Sequence, residues 1–222
     1  MPKIVIFDSG FGGELFADRV EDLFPNLEVI RVIDWRHSDQ YLKNRYAARK
    51  AAKIALQPYM NKVNVIVFAN HLLSVNLRYF RHHYRRQKFS GFDFSWPERC
   101  RAKYKPQNAL ILTTKATQAT LDYHLFKFKK SDINIKTVIC DHWIDKIDDG
   151  ELAESEIVDF LAKNTRNFHP QIVILACTQL ADIKPALRKF FGPFVAIEDG
   201  YYCALKNLCQ TLSCRGYTIK SR

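Results

Sequence analysis

Several things are missing from this chain of 222 residues, and each absence narrows its class. No apolar run reaches the ~18–20 residues that a membrane-spanning helix needs. The opening Met1-Pro2-Lys3-Ile4-Val5-Ile6-Phe7 lacks the layout of a secretory leader, because its apolar stretch is short and stops at Asp8. The sequence therefore reads as cytoplasmic, with no membrane contact. Six cysteines occur, at 100, 140, 177, 203, 209 and 214, yet no two form a C-x-x-C pair and no Cys/His spacing suits zinc. No metal site is expected. In a reducing compartment most of these are free thiols, and all but Cys177 read as packing or exposed residues.

What is present is ordinary in bulk: 47% apolar and 26% charged residues, and a length sufficient for one large or two small domains. The formal net charge of +11 is less ordinary. Arg78 to Lys88, RYFRHHYRRQK, interleaves basic residues with aromatics, a composition that suits phosphate contacts plus base stacking. Leu72, Leu73, Val75, Leu77 and Phe80 lead into it at near-helical spacing. That favours a solvated helix face with buried aromatics over contact with nucleic acid.

Short apolar runs alternate with helical patterns along the chain. Strands are expected at Ile4–Phe7, Val29–Ile33, Val63–Ala69, Ala109–Thr113, Ile135–Ile139, Ile172–Ala176 and Phe194–Ile197. Helices are expected after Gly13 (with Leu15, Phe16, Val20 and Leu23 on one face), at Arg45–Met60, from Leu72, and at Ala116–Phe128, Glu151–Asn164, Lys184–Phe190 and Tyr201–Leu212. Lys88 to Gln107 reads as loop. This rhythm means βαβ units and mainly parallel sheets. It repeats, predicting two similar Rossmann-like α/β lobes, residues 1–90 (with 199–222 returning) and 106–198, with a site in the cleft between them. Ligands of such folds sit beyond the carboxyl ends of strands. That rule selects Asp8-Ser9, Asp34, Asn70-His71, Thr113-Thr114 and Cys177-Thr178-Gln179.

Four segments at those strand ends then become specific. Phe7-Asp8-Ser9-Gly10-Phe11-Gly12-Gly13 is similar to the F-D-S-G-x-G-G opening of glutamate racemases. Thr113-Thr114-Lys115-Ala116-Thr117, with Tyr123 downstream, resembles their G-T-x-A-T motif. Cys140 to Gly150 parallels a segment that carries an acidic residue before a Gly. Ala176-Cys177-Thr178-Gln179-Leu180, followed by Lys184-Pro185, resembles the G-C-T-H-Y-P block. On these motifs, in this order, the chain resembles the glutamate/aspartate racemase family.

The resemblance implies a cofactor-independent isomerase that removes the α-proton of an acidic amino acid from one face and returns one to the other. The family uses two cysteines, each active as thiolate, while hydrogen-bond donors hold the α-carboxylate. Carried over by position, Cys177 matches the second cysteine and Asp8 the residue that assists the first. Ser9, Asn70, Thr114, Thr117, Asp148, Thr178 and Gln179 fall on the substrate-binding set. A homodimer and a role in supplying D-glutamate for peptidoglycan are also implied.

The departures lie in the chemistry. Ala69 stands where the first cysteine belongs, in Phe68-Ala69-Asn70-His71, so one face lacks its usual acid/base and turnover would be impaired. His71 is the candidate substitute, since an imidazole titrates near ~6.5. Gln179 replaces a histidine after Cys177, Asp148 stands for a glutamate, and Tyr41 is what remains of a Pro-Tyr-Gly loop. Two alternatives stay open. One is a one-base enzyme like the arylmalonate decarboxylases, in which a single cysteine protonates an enediolate. The other is an inactive homologue that binds a ligand or nucleic acid.

Overall fold

The computed structural model describes residues 1–92, 100, 102–118 and 133–212. The chain divides into two compact units, Met1–Phe94 with Gly200–Arg222, and Ser95–Asp199. Each holds a four-stranded sheet in which every pairing is parallel.

In the first unit β1 (Lys3–Asp8), β2 (Glu28–Ile33), β3 (Val65–Phe68) and β4 (Lys88–Gly91) lie in the order β2-β1-β3-β4. The apolar residues of β1 and all of β3 are covered on both faces, which is why they read as unbroken Val, Ile and Phe. β2 was expected to be buried but is the half-exposed edge, paired only with β1. β4 falls in a stretch expected to be loop. Its sequence, Lys-Phe-Ser-Gly, carries one large apolar residue, Phe89, and pairing with β3 fixes it as a strand.

Helix α1 (Gly12–Leu23) buries Phe16, Ala17 and Val20, while Leu23, expected on the same face, is exposed. α2 (Ser38–Lys43) leads to α3 (Arg45–Leu56). Asn44 caps α3, its side chain accepting from the amides of Tyr46 and Ala47 at 3.0 Å each. Ala48, Ala51 and Ala52 face the sheet as expected. The predicted run to Met60 stops earlier because Pro58 cannot continue α-helical bonding, and Gln57–Tyr59 form a 3₁₀ turn. The helix expected from Leu72 is two pieces, α4 (His71–Ser74) and α5 (Leu77–His83).

The second unit repeats the order with β5 (Asn108–Thr113), β6 (Asn134–Ile139), β7 (Ile172–Leu175) and β8 (Ala196–Glu198), arranged β6-β5-β7-β8. β8 starts later than expected. Gly192 takes φ +81° before Pro193, and Phe194 stands 97% exposed outside the strand. α6 (Asp141–Asp148), absent from the sequence reading, buries Trp143 and Ile147 at helical spacing, with Trp143 against Phe160 of α7 (Glu154–Thr165). α8 (Lys184–Phe191) follows a 3₁₀ turn at Gln179–Ile183. The helix expected at Ala116–Phe128 is described only as far as Gln118. Tyr123 and Cys214 lie outside the described residues.

In both sheets the first strand is flanked by the second on one side and the third on the other. That reversal opens a crevice at the carboxyl ends of β1/β3 and of β5/β7. At the first crevice the chain is tightly packed. A Cβ on Gly13 would come within 2.3 Å of Asp8 Cβ and 2.8 Å of Ile33 Cδ1. Gly13→Ala is therefore expected to cost about 1–3 kcal/mol, read as a lower urea midpoint with unchanged slope.

Candidate active site

The first strand-end cluster is built on Asp8, which is 2% exposed. Its Oδ1 accepts from the Ser9 amide at 2.6 Å and from Asn70 Nδ2. Asn70 Nδ2 also reaches Ser9 Oγ at 3.3 Å, while its Oδ1 caps α4 by accepting from Leu73 N at 2.7 Å. One amide side chain thus joins the ends of β1 and β3 and sets the start of the next helix. Ala69, just before it, is fully buried and extends the ladder through its amide to Phe7 O at 2.8 Å. The expected residues Asp8, Ser9 and Asn70 are therefore together.

His71 follows in the first turn of α4. Its ring is 1% exposed, set edge-on to Phe92 with centroids 5.0 Å apart. It also lies against Gly200, where a Cβ would stand 3.2 Å from His71 Cε1. At the end of β2, Asp34, one of the strand-end residues, forms a cluster with Tyr41 and with His37, which the sequence did not single out. Tyr41 Oη donates to Asp34 at 2.5 Å and His37 Nδ1 lies 2.9 Å away. Tyr41 is fully buried, and burial and then the Asp34 carboxylate raise its pKa far above the ordinary phenol value.

The second cluster lies at the ends of β5 and β7. Thr114 Oγ1 and Thr117 Oγ1 are 3.0 Å apart, and Thr114 Oγ1 also accepts from Thr117 N at 3.3 Å. Cys177, half-buried, donates from Sγ to Gln179 Oε1 at 2.9 Å, and Thr178 Oγ1 approaches the same oxygen at 3.5 Å. The Gln179 side chain also acts on Asp148, at the end of α6, favouring its charged form. A carboxylate can only accept, so the Gln179 amide N–H faces Asp148 and its carbonyl oxygen faces the thiol. Cys177 held this way is set to give up a proton; to act as a base it must first leave this bond.

Asp148 carries the clearest electrostatic signature. Burial, then Asp145, push its carboxyl from 3.8 up to about 6, against the effect of Gln179. Its Oδ1 is buried with no hydrogen-bond partner. Asp182 nearby is also raised by burial. Cys140, at the end of β6, is fully buried and pushed up to about 12, so it is an inert packing thiol. Among the described residues no group of His, Cys, Asp and Glu could hold a metal ion, and no helix is long and apolar enough to cross a membrane. A cavity of about 440 Å³, lined by Phe168, His169, Phe190 and Phe191 among others, opens at the amino ends of β7 and β8, away from this cluster.

Because the folded state holds the Asp148 proton more tightly than the unfolded chain, the resulting stabilisation is complete below 3.8 and is lost as pH rises to about 6. Asp148→Asn removes that loss. The variant is expected to match the wild type near the bottom of that window and to be more stable by about 1 kcal/mol at neutral pH, after allowance for solvent screening. Urea midpoints measured at both ends of the window check this.

No known protein-family profile matches the chain. In sequence it is similar to the glutamate racemase of Pseudomonas syringae pv. tomato, 22% identical over 216 residues, covering 95% of this chain and 78% of that one. In structure it is similar to the glutamate racemase of Francisella tularensis in complex with D-glutamate. There the TM-score is 0.76 at 20% identity, with 100% of this chain and 84% of the other covered. It is also similar to the Escherichia coli enzyme in complex with L-glutamate and the activator UDP-MurNAc-Ala. That match has TM-score 0.79 at 18% identity, with 99% and 85% covered. What these likenesses share with this chain is the fold, α/β with two four-stranded parallel sheets.

Proposed function

We propose that this protein is a cofactor-independent, racemase-like isomerase of acidic amino acids, with glutamate as its first substrate. The observation that carries this reading is the sequence relation to a glutamate racemase over 95% of the chain. It is joined to a half-exposed thiol at a β-strand end that is hydrogen-bonded to a polar side chain. Glutamate bound in two of the similar enzymes supports the substrate class. In this reading Cys177 exchanges the α-proton on one face. Asp8, Ser9, Asn70, Thr114, Thr117 and Thr178 supply hydrogen bonds to the substrate's polar ends, and Gln179 with Asp148 orients the thiol. The cellular setting that fits is the cytoplasm, with D-glutamate passing to peptidoglycan.

Ala69 gives the one-base reading its specific support, because a methyl group moves no proton. The two readings differ in a direct measurement. L- and D-glutamate are incubated separately with the protein in D₂O, with α-proton loss followed by NMR and inversion by a chiral assay. The expected result is exchange that Cys177→Ala lowers at least ~100-fold, the scale of a lost general acid/base. Inversion that disappears in His71→Ala while exchange survives would assign the second proton to His71. Exchange of one enantiomer without inversion would make the protein a one-base enzyme. Absence of exchange with both enantiomers, and with aspartate, overturns the proposal.

A second variant probes the same chemistry from the other side. Ala69→Cys restores a thiol at the end of β3 and is expected to raise the inversion rate about tenfold or more. An unchanged rate in a folded variant would show that the lost thiol does not limit turnover.

A further inference from the structure

The chain's entire excess of positive charge lies in one stretch of sequence. No Asp or Glu occurs between Asp39 and Asp93, while 11 of the 34 Lys and Arg do. The remaining 23 equal the 23 Asp and Glu of the whole chain, so the net +11 belongs to this stretch alone.

The first unit carries much of it on two helices in contact, α3 and α5, and on the turn after α5. α3 presents two rows at four-residue spacing, Arg45, Arg49, Lys53 and Tyr46, Lys50, Ile54. The first row runs along α5. The Arg49 guanidinium lies 3.7 Å from the Tyr79 ring centroid and Lys53 Nζ 4.9 Å from the same ring, and Arg49 Nε donates to Asn76 Oδ1 at 3.3 Å. On Tyr79 the ring of His83 stacks at 3.8 Å. Arg78, Arg81, Arg85 and Arg86 stand exposed along α5 and the turn after it. Tyr46 is 62% exposed beside the Arg45 guanidinium.

Folding uses some of these cations, Arg49 and Lys53 on Tyr79 and Arg81 on the Phe89 carbonyl, but leaves their charge uncompensated. Arg45 sits in the first turn of α3, where the helix dipole disfavours a cation. Arg45, Arg49 and Lys53 repel one another at i, i+4. Elsewhere cations find carboxylates: Arg31 meets Glu14, Asp18 and Glu21, Lys146 meets Glu156, and Lys184 meets Asp199. Among the described residues no ion pair includes any of the 11. A surface that tolerates this repulsion is matched to an anion from outside.

We propose that this α3–α5 surface binds single-stranded nucleic acid, its cations following the phosphates while exposed Tyr46 and His82 stack on bases. The aromatics set among the cations favour bases over a plain polyanion. An anionic membrane would need a continuous apolar face, and the apolar face of α3 (Ala48, Ala51, Ala52 and Leu56) is already buried.

The test is fluorescence anisotropy of a labelled single-stranded RNA of about 20 nucleotides with the full chain, across a salt series. With roughly five phosphates engaged, affinity is expected to fall about 100-fold between about 50 and 200 mM salt. Lys50→Gln/Arg85→Gln/Arg86→Gln, all on exposed side chains, is expected to flatten the logarithmic salt slope by about 2. Tyr46→Ala is expected to weaken RNA roughly tenfold while leaving heparin binding unchanged. Thermal melts of both variants confirm that they fold. The proposal fails if RNA does not bind at low salt. It also fails if Tyr46→Ala lowers RNA and heparin alike, or if polyglutamate or anionic vesicles compete as well as unlabelled RNA.

Discussion

The side chain of Asp8 lies so close to the first turn of α1, through its Cβ, that no side chain fits at residue 13. Much of the first unit follows from that approach. A buried carboxylate must be hydrogen-bonded, and its donors, the Ser9 amide and Asn70, tie β1 to β3. Asn70 then caps α4, and the Asn70 carbonyl accepts from Ser74 Oγ at 2.6 Å. Ser74 Oγ in turn accepts from Phe92 N at 3.1 Å, just beyond β4. A single chain of polar contacts thus fixes the crevice end of three neighbouring strands. It also explains how the scaffold survives with Ala69 in its midst, since residue 69 contributes its backbone and not its side chain to that chain of contacts.

The two thiols nearest the second crevice show why position outranks residue type. Cys140 and Cys177 both follow strands of one sheet. The first is buried and pushed up to about 12, and the second meets a polar oxygen at the surface. Gln179 differs in kind from an imidazole at that place. It cannot accept a proton, so it fixes the thiol's direction without relaying charge, and the titratable group beside the thiol becomes Asp148.

How much of this was legible in the sequence depended on the range of the interaction. β1, β3, β5 and β7 announced themselves because strands covered on both faces are continuously apolar. The strand-end rule then picked Asp8, Asn70, Thr114 and Cys177 from local pattern alone. β4 was hidden because Lys-Phe-Ser-Gly carries no periodic signal and takes its strand form from β3. α6 was hidden because its eight residues hold only Trp143, Ile144 and Ile147 as apolar positions, too few to set a helical period against its charges. Contacts between residues distant in sequence, Asn70 with Asp8 and Arg49 with Tyr79, are geometric facts that no local window contains.

The closing helix, Tyr201–Leu212, belongs to the unit whose strands were made first. Tyr201 packs on Phe16 and Phe92, and Lys88 reaches the carbonyl of Thr211 at 3.2 Å. During synthesis, then, the first sheet leaves the ribosome long before its last cover exists. Through that interval the rings of Phe16 and Phe92 and the flank of β4 stay open to water and to other chains. The first unit is therefore the one whose packing is completed last.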